Sequence, residues 1–470
     1  MMLSLSEKSC YMNRIISSLI FILLITDFLH SEPTTISGQV ENGNGLTIRL
    51  MTYRDQLSYL RETLQTGQIG ENGQFSLTAD IQNTGYCWLD IDFQQVELFL
   101  QPGQTYQVDI QLNDSQLSSS YYDRSGLPYK FVKDDKDRLN FSIQEFNQLY
   151  NDFLLDNTLK PGAGSAKTAY ETFVRAIEIR FQNAENPYFL DYIRYKTASM
   201  QLFLRLKSRE NLGQEYIAGN PVLYENLEYV DFFHLYFDKY FLTYGKYMNY
   251  NKMYDLINGT ATLPEILDSL AVDPALKDLQ VRELLLLEGL KELYYSPGFK
   301  RGRVLSFVKE INIKSSFPDN TRLAGNLLAR FAHLQPGSPA PDFSLVEVQS
   351  GKTFQLKDFK GKLLYLAFID SRLPACQSEL GQITEIYNDY KDKVAFVAVS
   401  VDKNQNVLKE FIDKAASPWI FLQYDGNIDL LEKYDASTFP HFVLIDENGQ
   451  IRRCPSPSPS ENIRKVLDAN

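Results

Sequence analysis

The sequence predicts a multidomain α+β chain: an N-terminal antiparallel β-sandwich, a central all-α helical region and a C-terminal α/β unit. Three observations carry this. Short alternating runs broken by turn residues fill the stretch after an apolar leader, apolar residues at helical spacing fill the middle, and buried-strand patterns alternate with helical ones at the end. The expected boundaries are 1–31 for a signal peptide, 33–117 for the sandwich, 118–333 for the helical domain and 334–470 for the last unit.

Length and charge bound the possibilities. A chain of 470 residues has room for about two to four domains. Its formal charge of −12 argues against nucleic acid or an anionic membrane surface as a partner.

In the leader, Lys8 and Arg14 precede an apolar run from Ile15 to Ile25, shorter than the roughly 20 residues that span a bilayer. Cleavage near Ser31 is expected, and no cysteine follows the run to carry a lipid anchor. The competing reading is an uncleaved short anchor. Nothing downstream resembles a transmembrane helix, so secretion across the inner membrane into the periplasm is expected.

Six strands are expected in the sandwich: Thr35 to Val40, Leu46 to Thr52, Phe75 to Ile81, Tyr86 to Ile91, Val96 to Leu100 and Tyr106 to Leu112. Turns at Gly43-Asn44-Gly45, Glu71-Asn72-Gly73 and Gln101-Pro102-Gly103 separate them. No catalytic constellation occurs there, and a docking or spacer role is the plain reading.

Helical spacing begins near Asp134. Ile143, Phe146, Leu149, Tyr150 and Phe153 share one face, as do Phe173, Ile177 and Phe181. The aromatic run Tyr229 to Tyr240 reads as core in preference to a ligand groove. Gly162 to Thr168 mimics a phosphate loop, but Ala166 stands where glycine must precede the lysine, so a flexible connector is expected. His234, His333 and His441 are scattered without cysteine or carboxylate at metal spacing; no metal and no cofactor are expected.

In the last unit, Leu363 to Ile369 and Val394 to Val401 read as buried strands, with helices after Cys376 and around Val407 to Ile412. Phe439-Pro440-His441 opens a further strand, and Gly449 to Arg453 hairpins back from it. Pro455, Pro457 and Pro459 end that pairing, and a short final helix, Ile463 to Asp468, follows.

Five pieces of this unit resemble one family. They are Ala340-Pro341-Asp342-Phe343, the run Leu356 to Lys362, Cys376 with Glu379, Val399-Ser400-Val401-Asp402, and Phe439-Pro440 before a strand ending in Asp446-Glu447-Asn448-Gly449. In this order they resemble the thioredoxin-like envelope thiol-disulfide oxidoreductases of the TlpA/ResA type, near the alkyl hydroperoxide reductase and thiol-specific antioxidant group. The resemblance implies a thioredoxin-like fold, and a pair of cysteines of which the first attacks a disulfide as thiolate and the second resolves it.

Here that pair is incomplete. Alignment on Cys376 and Glu379 places Leu373 at the attacking position and Cys376 at the resolving one. The resemblance also marks Arg372, Ala375 and Ala367 as departures, where tryptophan, proline and a polar residue are usual. Pro440 matches the family's cis-proline, so Phe439, Pro440 and His441 are the expected surface for an extended peptide or envelope protein.

Cys376 permits two readings. A thiol in a helix's first turn feels the dipole and gains acidity, while a free cysteine commonly packs as a small hydrophobe. Packing is preferred. Cys454 is the one in-domain partner to consider, but an edge position is not expected to bring its Cα within the about 7 Å a disulfide needs. The expected function is a non-redox peptide-binding or scaffold role, the alternative being a monothiol oxidoreductase using Cys376 with an external thiol.

Overall fold

In a computed structural model, residues 32–468 are described except 92–93, 113–128, 133–137, 159–162, 244, 403–404, 416–418, 427 and 437. The leader expected over 1–31 lies outside the described residues.

Alternation builds the first part. In β4 (Gln74–Ala79) and β7 (Thr105–Gln111) every second residue is buried, placing Phe75, Leu77, Tyr106, Val108 and Ile110 on one face. They join β1 (Thr34–Glu41) and β8 (Tyr129–Phe131) in a sheet of order β4-β1-β7-β8. The facing sheet runs β3-β2-β5-β6, from β2 (Thr47–Tyr53), β3 (Arg61–Gln68), β5 (Gly85–Ile91) and β6 (Gln94–Leu100). A correction applies to the first sheet, which is mixed and not antiparallel. β7 returns from the other sheet and runs parallel to β1. The two come so close at Gly38 that an added Cβ would stand 1.8 Å from the Val108 carbonyl oxygen, so only glycine fits there.

β5 carries more burial than a sandwich strand needs. Cys87, Leu89 and Ile91 face the core, yet Trp88 and Asp90 on the outward face are also buried. The rest of the chain covers that face.

Part of the cover is helical. The helices are α1 (Arg138–Thr158), α2 (Ala163–Arg180), α3 (Pro187–Phe203), α4 (Arg209–Tyr216), α5 (Leu227–Tyr236), α6 (Tyr250–Asn258), α7 (Leu263–Leu270), α8 (Leu279–Tyr295), α9 (Arg301–Lys314) and α10 (Pro318–Ala332). Ala163 to Thr168, expected as connector, instead forms the start of α2. Alanine and lysine favour helix there once the phosphate-loop glycine is missing. The aromatic run lies inside: Tyr229, Phe232, Phe233, Tyr236 and Phe237 are all buried. The β2–β3 loop enters this core at Leu57. Asp55 holds the loop, accepting from the Leu57 amide at 2.9 Å and from Asn326 of α10 at 2.7 Å.

A seven-stranded sheet follows, of order β10-β9-β13-β12-β11-β14-β15. Its strands are β9 (Ser344–Glu347), β10 (Thr353–Gln355), β11 (Leu363–Ile369), β12 (Val394–Ser400), β13 (Ile420–Gln423), β14 (His441–Ile445) and β15 (Ile451–Arg453). β11, β12 and β13 are parallel, while β14 runs antiparallel to β11. The helices are α11 (Pro374–Tyr390), α12 (Gln405–Ala415), α13 (Ile428–Lys433) and α14 (Arg464–Leu467). All seven residues of β11 are buried, as a strand covered on both faces requires.

Those faces divide the helices. Tyr365 meets Phe396, which meets Tyr387 of α11 at 5.6 Å, so α11 packs on the Tyr365 face. Phe368, three residues on, points the other way and meets Tyr434 just after α13.

Arginines of the sandwich tie down α13. Arg49 is 3.0 Å from Asp90 and also pairs with Asp429 and Glu432; Arg61 pairs with Glu432. Burial raises the Asp90 carboxyl above the ordinary carboxylate range, an effect that Arg49 and Arg61 oppose. Replacing Arg49 by methionine strands the buried Asp90 charge, and a stability loss of about 3 kcal/mol is expected. Denaturant unfolding of R49M checks this, and adding D90L should recover most of the loss.

Among the described residues, no helix is long and apolar enough to cross a membrane.

Candidate functional site

The ends of β11 and β12 set the site. Ile369 and Ser400 pair in register on adjacent parallel strands, so Asp370, one residue beyond the first, and Asp402, two beyond the second, emerge at the same end of the sheet. Both are buried, at 0% and 2% exposure. Carboxylates withdrawn from water require hydrogen-bond partners, and these have them.

Arg372 grips Asp370 with both faces of its fork: Nε donates to Oδ1 at 3.0 Å and a terminal nitrogen to Oδ2 at 2.8 Å. The Arg372 amide adds a third bond to Oδ1 at 3.0 Å. Asp402 accepts from the Ser371 amide at 2.9 Å, the Ser371 hydroxyl at 2.8 Å and the Ser400 hydroxyl. Gln377 donates to the Ser371 carbonyl and Gln423 to the Asp402 carbonyl, each at 2.8 Å. Hydrogen bonding to Asp370 holds the Arg372 guanidinium even more firmly protonated than usual. The loop leading into α11 is thus fastened on both sides.

Leu373 is the N-cap residue of α11, and Cys376 lies in its first turn. The Cys376 side chain is fully enclosed, and burial pushes its thiol up to about 12. Desolvation therefore outweighs the helix start, which by itself would favour the thiolate. Ala367 is buried within β11, while Arg372 and Ala375 are exposed at the loop and helix head. Glu379 is turned away, accepting from the Ser460 amide at 3.0 Å and from its hydroxyl.

The Phe439–Pro440 peptide is cis, and β14 begins at the next residue. Phe439 is buried, whereas Pro440 and His441 are partly exposed. Burial pulls the His441 imidazole down, favouring its neutral form. Its Nε2 lies 3.7 Å from the Cys454 sulfur, and Cys454 is also pushed up to about 12 by burial.

Cys87, Cys376 and Cys454 are all free thiols. Cys376 belongs to α11 on the Tyr365 face. Cys454 instead gathers with His441 and the Tyr434 carbonyl on the Phe368 face. The sheet separates the two sulfurs. Among the described residues, no group of three or more His, Cys, Asp or Glu could hold a metal ion.

The Redoxin family model matches residues 335–467. Thiol-disulfide oxidoreductase ResA of Bacillus thuringiensis is 29% identical over 119 residues, covering 25% of this chain and 68% of the relative. Thioredoxin-like protein YneN of Bacillus subtilis is 32% identical over 124 residues, covering 25% of this chain and 70% of that protein.

The chain belongs to the thioredoxin-like family of thiol-disulfide oxidoreductases through its C-terminal unit. The crystal structure of the thioredoxin domain of a thiol-disulfide oxidoreductase from Bacteroides vulgatus is 27% identical and covers 29% of this chain and 97% of that one, at TM-score 0.27.

Within this thioredoxin-like unit, sequence reading singled out Cys376, Leu373, Arg372, Ala375, Ala367 and the Phe439–His441 segment. The structure brings Arg372, Leu373, Ala375 and Cys376 together at the head of α11 and places Phe439 and Pro440 just before, and His441 at the start of, β14, the antiparallel neighbour of β11. Asp370, Ser371 and Gln423 were missed as partners of Arg372 and Asp402. A signal was available: each of the two buried-strand patterns ends at an aspartate, and an arginine stands two residues after the first.

Native alkylation should modify Cys454 first, with Cys376 and Cys87 reacting only on unfolding; mass mapping after a quench reads the order. Both buried thiols are raised in the fold, to about 12. Their neutral forms therefore stabilise fully below the unfolded thiol value near 8.5, and that contribution is lost as pH rises from there through about 12. Unfolding titrations from about pH 8 to 10 should show a shallower decline in C376A than in the unaltered chain.

Proposed function

We propose that this chain is an envelope binding or scaffold protein, in which the thioredoxin-like unit accepts an extended peptide or a protein segment beside Pro440 and performs no dithiol exchange. The observation that carries the reading is the pairing of a leucine at the helix N-cap with a fully enclosed thiol three residues later, Leu373 and Cys376. A leucine cannot attack a disulfide. A sulfur with no exposed surface and a raised pKa does not attack one from solution.

The departures at Arg372, Ala375 and Ala367 support the same reading. Arg372 is engaged with Asp370, so the loop presents a closed ion pair. The competing reading, a monothiol oxidoreductase using Cys376 with an external thiol, requires that sulfur to reach solvent. For the rest of the chain, the reading takes 33–117 and 118–333 as a sandwich and a helical support for the unit at 334–470, with 1–31 as the signal for export to the periplasm.

Two experiments test this. Labelled, reduced and carboxymethylated lactalbumin, an extended polypeptide without thiols, should bind the full chain, and H441D should weaken binding about tenfold. Absence of binding, or indifference to H441D, sinks the peptide surface. Separately, L373C should oxidise with Cys376 to a disulfide and acquire reductase activity that the unaltered chain lacks. Two persistent free thiols in L373C would refute the assignment of Leu373 to the attacking position.

A further inference from the structure

The β14–β15 hairpin brings a thiol and an imidazole together, across the sheet from Cys376. His441 opens β14 and Cys454 follows β15, and the antiparallel pairing of the two strands returns one side chain to the other: Sγ stands 3.7 Å from Nε2. The length of the hairpin hid this pair from the sequence, where ligands were sought at short spacing.

The pair has the chemistry and the geometry of metal ligands. Thiolate sulfur and imidazole nitrogen both suit soft metal ions. Burial favours the neutral ring, which is the form that ligates. Metal bonds of about 2.3 Å to sulfur and about 2.0 Å to nitrogen set the two atoms roughly 3.5 Å apart at a tetrahedral angle and roughly 4.3 Å apart in a line. The observed 3.7 Å falls between these limits. Both residues are partly exposed, so an ion can enter.

Ligand count and charge select the ion. Among the described residues no third His, Cys, Asp or Glu completes a metal group, so the four-ligand site that zinc prefers is not built. Copper(I) takes soft ligands and accepts as few as two. One thiolate cancels its single charge. A neutral complex suits a half-buried place beside the rings of Phe368 and Tyr434, where a divalent ion would keep a charge that no ligand cancels. Asp435 acts on both groups through space, and its ion-pair partner among the described residues is only His333, at 3.8 Å, so the local field draws a cation in.

We propose that Cys454 and His441 hold one soft monovalent metal ion, copper(I) in chemical class, on Sγ and Nε2. The thiol S–H bond breaks as the sulfur–metal bond forms, the proton passes to solvent, and no electron is transferred. This site shares His441 with the peptide surface proposed above and otherwise stands independently of it.

Anaerobic titration of the full chain with copper(I), in competition with bicinchoninate, tests the site. One equivalent should be taken up with release of one proton, and the bound metal should slow alkylation of Cys454. C454S and C454A should lose that equivalent, H441A should weaken it at least tenfold, and C376S should keep it. Zinc(II) should bind at least tenfold more weakly than copper(I). C454S should still bind carboxymethylated lactalbumin, which shows that the variant is folded and lets this site and the peptide surface fail separately. The proposal is overturned if no copper is taken up, if C454S and C454A retain it, or if zinc binds as tightly.

Discussion

Exclusion of water from the Cys376 sulfur, in the first turn of α11, sets the protonation state of that thiol. A thiol attacks as thiolate, and charging Cys376 inside the core is opposed by burial more strongly than the helix dipole assists it. The enclosure has a structural cause. Asp370 and Asp402 follow the ends of neighbouring strands within the protein, and the bonds they accept from Ser371 and Arg372 fasten the loop that leads into α11. Opening that loop would expose or strand two carboxylates, so the segment Ser371-Arg372 is held in place.

The same economy of partners organises the rest of the chain. The β2–β3 segment of the sandwich reaches in two directions. Leu57 enters the helical core, while Arg49 and Arg61 fix α13 of the thioredoxin-like unit. One face of that unit is consequently covered, and the surface left at the head of α11 includes the exposed Arg372, Pro374 and Ala375. Cys454 and His441 lie on the Phe368 face of the sheet and Cys376 on the opposite one, which keeps the two sulfurs apart.

Much of this was legible in the sequence where pattern and physics coincide. Alternation marked the strands whose inward residues are large, such as Phe75–Leu77 and Tyr106–Val108–Ile110. It failed for β3, where Arg61 to Gln68 offers only Leu64 as an apolar residue, because this strand lies at a sheet edge and faces partners as charge and not as core. The parallel pairing of β1 with β7 was invisible for another reason: strand direction depends on which sheet the chain returns to, and no local pattern records that. At the site, the reading of Leu373 at the attacking position rests on the sequence alone, while its place as the N-cap of α11 comes from the structure. Arg372 read only as a missing tryptophan, since its partner Asp370 acquires meaning once the strand end is known to be buried. The Gly162–Thr168 stretch shows the opposite error, in which turn-rich composition concealed a helix start.

Turnover of a protein disulfide by the intact chain, supplied with an external thiol and compared with C376S, tests the central claim most directly. The account predicts that neither protein exceeds the thiol alone. Turnover by the unaltered chain that disappears in C376S would contradict it, because a sulfur enclosed in the core at the head of α11 would then be the working nucleophile.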